Sequence, residues 1–228
     1  MNKLKVIITG ATGMVGEGVL YECLQHPNVE KVLVITRKSC GYSHLKLTEI
    51  IHSDFSDISM LSDRLTDYNA CYFCLGNTSL GKSESEYTKL TYTLTINFAS
   101  TLAKLNHNMT FCYISGAGTD SSEKGRSMWA RVKGKTENDL MKLPFKKVYN
   151  LRPAGIEPFL PLKPSQTYYK TYKYFGWLFL LMKNIMPNYV VALKDIAAAM
   201  INASLTGYHK SILEVKDIKI LAKANMAK

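Results

Sequence analysis

The stretch Lys5-Val6-Ile7-Ile8-Thr9-Gly10-Ala11-Thr12-Gly13-Met14-Val15-Gly16 decides how the rest of the chain is read. Its first half is a short β-branched run, the pattern of a buried strand. Its second half places glycine at every third position and leads into helix-forming residues that run to Gln25. A glycine turn between a strand and a helix serves three physical ends. One glycine makes the tight turn, one lets backbone approach a pyrophosphate, and one lets helix and strand pack closely. The helix start then offers unpaired N–H groups and the positive end of its dipole to an anion. The spacing here is GxxGxxG rather than GxGxxG and is weak by itself. The strand before it and the helix after it are the context the motif requires. The reading is a dinucleotide site built from Gly10, Thr12, Gly13, Met14, Val15 and Gly16.

Outward from that turn, short apolar runs alternate with longer helical stretches. Strands are expected over Lys5–Thr9, Lys31–Thr36, Glu49–His52, Ala70–Leu75, Thr110–Ser115 and Lys147–Arg152. Helices are expected over Met14–Gln25, Ile58–Leu65, Glu84–Asn106 and Trp129–Met141. Parallel strands need crossover connections, and these run right-handed, so the pattern implies an α/β doubly wound parallel sheet, a Rossmann fold. Residues 1–228 read as one domain, with residues 156–190 as a small cap over the cofactor and substrate cleft. Within the cap, Tyr172, Phe175, Phe179 and Met182 recur at spacings of three and four, which puts them on one face of a helix over Tyr168–Met182. Asp195 reads as the N-cap of a helix Ile196–Leu205, followed by a late strand Ile212–Val215 and a final short helix.

The end of the second strand bears on cofactor choice. An NAD site places a carboxylate there for the adenosine ribose; this chain has Thr36-Arg37-Lys38 instead. Arg37 and Lys38 suit a 2′-phosphate, so NADP is expected in preference to NAD. The 228 residues carry a formal charge of +11, with 46% hydrophobic and 21% charged residues. The basic residues are scattered rather than clustered. That favours a solvated basic face and a phosphate-bearing cofactor over a nucleic-acid surface. Cys71 and Cys74 form a CxxC inside an apolar strand run, where positions three apart face opposite sides, so no metal site is expected. Lys3 and Lys5 lead straight into the first strand without a signal peptide, and the uncharged stretch Tyr174–Met182 is too short to span a bilayer. Five cysteines in such a chain read as reduced thiols, and the expected location is the cytoplasm.

The ordered series of motifs resembles the atypical or extended short-chain dehydrogenases/reductases. Similar groups are the Tat-interacting-protein-like oxidoreductases and the bacterial nucleoside-diphosphate-sugar epimerase-like proteins. The matching features are Thr9–Gly16, Asp54-Phe55, Phe73–Thr78, Ser115–Gly118, Lys133-Gly134, Arg152-Pro153 and Lys194–Ile196. The resemblance implies that Asp54 accepts from the adenine amino group with Phe55 beside the ring. It implies that Leu75, Gly76 and Asn77 line the adenosine and pyrophosphate side. Lys133 would hold the nicotinamide ribose, backbone near Pro153 would touch the nicotinamide, and Ser115 would orient a substrate oxygen.

Catalytic members of that family carry Tyr-x-x-x-Lys, the tyrosine being the acid/base. Here the register reads Trp129-Ala130-Arg131-Val132-Lys133. Spacing of four keeps Trp129 and Lys133 on one helix face, but an indole is a donor without a usable pKa. A substitute acid could come from Tyr168, Tyr169 or Tyr172, or from water ordered by Ser115 and Lys133. Two classes stay open at this point. One is an oxidoreductase or epimerase-like enzyme with a displaced acid and a small-molecule substrate; the other is a catalytically silent NADP-binding sensor or interaction module.

Overall fold

A computed structural model describes residues 3–157 and 189–224. The expected sheet is present. Seven parallel strands lie in the order β3-β2-β1-β4-β5-β6-β9. They are β1 (Leu4–Thr9), β2 (Val29–Thr36), β3 (Leu47–Ile51), β4 (Ala70–Phe73), β5 (Thr110–Ile114), β6 (Lys147–Arg152) and β9 (Ile212–Glu214). The strand order reverses between β1 and β4, and a crevice opens outside the carboxyl ends at such a switch point.

The faces follow from alternation along each strand. Val6, Ile8, Tyr72, Cys112 and Tyr149 face one layer, with Val19, Leu20 and Cys23 of α1 (Met14–Gln25). That layer is completed by α5 (Leu193–Thr206) and α6 (Val215–Lys223). Ile7, Cys71, Phe73, Phe111 and Tyr113 face the other layer, formed with α3 (Leu94–Leu105) and α4 (Met128–Leu140). Cys71 and Cys74 accordingly pack on opposite faces, and all five cysteines are free. Among the described residues, no helix is long and apolar enough to cross a membrane.

Several elements differ from expectation. The helix expected over Ile58–Leu65 is a 3₁₀ helix, Ser59–Arg64. The helix expected over Glu84–Asn106 is three pieces: α2 (Glu84–Thr88), a π turn over Lys89–Thr93, and α3. Ser83 and Glu86 close a reciprocal capping box at the start of α2. Asp195 is not an N-cap. The helix begins earlier, with Ala192 as its cap residue, and Asp195 sits in its first turn, where its charge still favours the dipole. Two short strands not anticipated from the sequence, β7 (Gly155–Glu157) and β8 (Val190–Ala192), pair in parallel, Gly155 with Val190 and Ile156 with Val191. The expected cap over 156–190, including Tyr168, Tyr169, Tyr172, Phe175, Phe179 and Met182, lies outside the described residues apart from these two edges.

One buried charge pair joins α4 to the sheet. Arg152, at the end of β6, donates from Nε to Glu137 Oε1 at 3.0 Å and from Nη2 to Glu137 Oε2 at 2.6 Å. The same guanidinium reaches Ser121 Oγ at 2.6 Å and Glu214 Oε1 at 3.2 Å. Glu137 is fully buried, so removing it leaves the buried guanidinium with only the longer contact to Glu214 and the bond to Ser121. Glu137→Ala should lower stability by about 3 kcal/mol, read as a lower urea midpoint at unchanged slope.

Candidate functional site

At the carboxyl end of β1 the chain turns through Gly10, whose φ is +71°. A side chain on Gly10 would begin 2.6 Å from the carbonyl oxygen of Cys74, the residue that follows β4. A side chain on Gly16 would collide with the carbonyl oxygen of Gly10. These two glycines let α1, β1 and β4 converge. Gly13 is different: it is exposed, it is the N-cap residue of α1, and no side chain caps that helix among the described residues. The first N–H groups of α1 thus lack the side-chain oxygen that Ser83 supplies to α2. An uncapped helix start beside an exposed glycine fits a pyrophosphate.

A cleft of about 380 Å³ opens next to this turn, lined by Gly10, Thr12, Thr36, Arg37, Lys38, Phe55 and Leu75. Sequence reasoning gave a cofactor-binding role to every one of these residues except Thr36. Thr36 shapes the turn at the end of β2: its Oγ1 donates to the Lys38 carbonyl at 2.7 Å. A hydroxyl within two residues of a strand end is a common turn signal and could have been used to find it. Arg37 and Lys38 are exposed on this rim. Phe55 is buried, stacked on Phe98 at 6.1 Å between ring centroids, and lines the cleft from the core side.

Other expected residues make different contacts. The Asp54 carboxylate accepts from Ser56 N at 2.9 Å and Ser56 Oγ at 2.5 Å, and these bonds lower its pKa. Asn77 donates from Nδ2 to the Leu90 carbonyl at 3.3 Å, while Gly76 is exposed beside it. Pro153 is buried, and its carbonyl accepts from Ala117 N at 2.9 Å.

A second cluster lies at the end of β5, two strands from β1 and therefore about 10 Å along the same edge. Lys133 Nζ donates to the Ser115 carbonyl at 2.8 Å. Lys133 is half-buried as a residue, and its ammonium group is the deep end: desolvation pushes its pKa down to about 8, against an opposing pull from Glu137. The Ser115 hydroxyl is turned inward, 3.0 Å from Thr119 Oγ1, and Ser115 is buried. Trp129 lies over the Gly116-Ala117-Gly118 backbone. A methyl group placed on Gly116 would lie 4.0 Å from Trp129 Cζ3 and 3.9 Å from Lys133 Nζ, and one placed on Gly118 would lie 3.5 Å from Trp129 Cη2. The expected sharing of one face by Trp129 and Lys133 is thus observed. Tyr113 and Tyr149, the tyrosines nearest in sequence, are both buried, with Tyr149 hydrogen-bonded to Tyr208 backbone on the opposite face of the sheet.

Comparison with known proteins places this architecture. The curated protein fmp52-1 of Aspergillus oryzae is 30% identical over 155 residues, which cover 65% of this chain and 64% of that protein. The corresponding protein of Saccharomyces cerevisiae is 28% identical over 66% of this chain and 64% of its own length. The matched segment therefore spans just under two thirds of each. Both relatives are named as mitochondrial proteins, which overturns the cytoplasmic location expected from the sequence. Among solved structures, the dTDP-glucose 4,6-dehydratase DesIV of Streptomyces venezuelae shares the fold with a TM-score of 0.68 at 14% identity, covering 98% of this chain and 81% of that one. The ADP-L-glycero-D-manno-heptose-6-epimerase of Helicobacter pylori superposes with a TM-score of 0.64 at 15% identity, covering 100% and 82%. Residues 6–124, just over half of the chain and including both the glycine turn and the end of β5, match the NAD dependent epimerase/dehydratase family, and the chain belongs to that family.

Proposed function

We propose that this chain is an NADP-dependent oxidoreductase of the short-chain dehydrogenase/reductase type, acting on the carbonyl or alcohol of a small molecule. The observation that carries the reading is the basic cleft: Arg37 and Lys38 stand on its rim beside Gly10 and Thr12, and among the described residues no carboxylate lines it. A guanidinium at that place offers paired N–H donors to a 2′-phosphate, and a carboxylate would repel it. The pyrophosphate would rest on the first N–H groups of α1, where Gly13 leaves space, and the adenosine would lie between Leu75 and Phe55. Asp54 would reach the adenine amino group only by sharing its carboxylate with Ser56.

Lys133 would hold the nicotinamide ribose, with Pro153 backbone beyond it and Trp129 forming a wall over Gly116 and Gly118. When bound, the dinucleotide supplies hydride chemistry; the protein's part is to orient it and manage the proton. A silent NADP-binding role is the second reading, and Trp129 favours it because an indole cannot exchange its proton. NADPH consumption with a panel of reactive aldehydes, ketones and quinones separates the two: steady turnover supports the enzyme, and binding without turnover supports the silent module.

Cofactor preference is tested by titrating wild type and Arg37→Ala with NADPH and NADH. A charge-assisted contact to the 2′-phosphate contributes on the order of 1.5–3 kcal/mol, roughly ten- to a hundredfold in affinity. NADPH should bind more tightly than NADH by that factor, and Arg37→Ala should remove most of the difference without weakening NADH. Equal wild-type affinities would refute the preference.

A further inference from the structure

Trp129, Lys133 and Glu137 follow one another at spacings of four and therefore share one face of α4. Among the described residues, the charged and titratable groups around Lys133 can be named element by element. Glu137 lies one turn along α4, and both of its oxygens are taken by Arg152 of β6. Glu214, at the start of α6, holds Arg152 from the other side. Tyr113 of β5 places its ring centroid 5.9 Å from Lys133 Nζ. Tyr87 of α2 is buried and acts electrostatically on Tyr113. Burial pushes the Tyr113 phenol up out of the range in which it could trade protons near neutral pH.

Lys133 Nζ is thus bonded to a backbone carbonyl, while the carboxylate nearest to it in the helix is neutralised by a guanidinium. Buried lysines without a carboxylate partner release their proton readily and serve as acids and bases. The ammonium also sits at the carboxyl edge of the sheet, beside the Gly116 backbone and the Trp129 ring.

We propose that Lys133 itself exchanges the proton in this site, giving it from Nζ to the substrate oxygen, with Glu137 and Arg152 as positioning residues that govern how firmly that proton is held. The proposal rests on the reading of the chain as a nicotinamide-dependent carbonyl reductase. In the reductive direction the carbonyl carbon gains a hydride, with its two electrons, from a reduced nicotinamide dinucleotide, which is thereby oxidised. The carbonyl π pair becomes the new O–H bond with the proton from Nζ, and the neutral amine recovers a proton from water. Reduction needs the protonated lysine, so its rate falls as pH rises through the Lys133 titration; oxidation of the alcohol runs the opposite way.

Three measurements test this. In cofactor-free protein carrying isotope-labelled lysine, NMR titration should show one ammonium with a midpoint near 8, assigned by its loss in Lys133→Arg, or in Lys133→Gln if the arginine variant does not fold. Glu137→Gln removes a negative charge and should move that midpoint down; Arg152→Met exposes the Glu137 charge and should move it up. The alkaline limb of NADPH-dependent carbonyl reduction should move with the midpoint in each variant, which a merely structural role would not produce. Lys133→Arg keeps a cation and donors for the ribose but cannot give up its proton. It should therefore bind NADPH within about tenfold of wild type by fluorescence titration and lose roughly 10²–10⁴-fold in turnover. A wild type that does not bind NADPH, or that binds it and turns over no carbonyl, overturns the reading beneath the proposal. NADPH-dependent turnover with a Lys133 midpoint above 10, or with turnover in Lys133→Arg within tenfold of wild type, overturns the proposal alone. In the second of those cases the acid lies elsewhere, and Tyr168, Tyr169 and Tyr172 are the first residues to replace.

Discussion

The meeting of three backbones at Gly10 is the constraint on which the rest of this protein depends. β1 must end, β4 must pass beside it, and α1 must start against both, all within van der Waals contact of one residue. Gly10 satisfies this with a left-handed φ and no side chain, and Gly16 gives up its own side chain so that the first turn of α1 can sit on the Gly10 carbonyl. Because α1 is brought in so close, its uncapped N-terminus points along the carboxyl edge at the place where the strand order reverses. The cleft beside Arg37, Lys38 and Leu75 follows from that placement. A bulky side chain at either glycine would separate helix from strand and remove the helix start from the edge that the cleft occupies.

The other end of the site is set by charge rather than by close approach. α4 is mostly polar on its outer side; Gly134 packs on the loop backbone at Asp120 and Ser121, and Glu137 reaches the sheet through the Arg152 guanidinium. Burying a carboxylate is costly unless it is paired and fully hydrogen-bonded, and Glu137 is both. The consequence extends one turn back along the helix. With Glu137 occupied by Arg152, Lys133 finds a backbone carbonyl as its partner, and desolvation lowers its pKa. The pair that fastens α4 to β6 also shapes the electrostatic surroundings of the amine in the candidate site. Trp129, laid over Gly116 and Gly118, completes that end with an apolar surface in place of a phenol.

Much of this was legible in the order of residues. The β-branched run before Gly10, the apolar runs at Ala70 and Thr110, and the helical periodicity between them are local patterns, and each formed close to where it was expected. So did the opposite facing of Cys71 and Cys74, which needs only the period of a strand. Less legible were features in which neighbours compete for the same atoms. Asp195 resembles an N-cap in sequence, but the helix gains an earlier start from Leu193, which is buried against the core, so tertiary packing outweighed the local signal. The π turn at Lys89–Thr93 has no local signal in the sequence. It lies where Tyr92 reaches Asp139 of α4 at 2.8 Å, a partner 47 residues away.

By itself, the sequence determined the sheet class, the place of the glycine turn, the absence of a carboxylate after β2 and the presence of an indole where the family's acid is expected. These are properties of residue type and short spacing, and no distant partner alters them. Which groups remained available depended on how the elements packed. That packing drew both oxygens of Glu137 to Arg152 and left Lys133 with the Ser115 carbonyl. The physical reason is that hydrogen-bonding capacity and desolvation belong to a side chain's surroundings. In a parallel sheet, those surroundings are assembled from segments that the chain order keeps far apart.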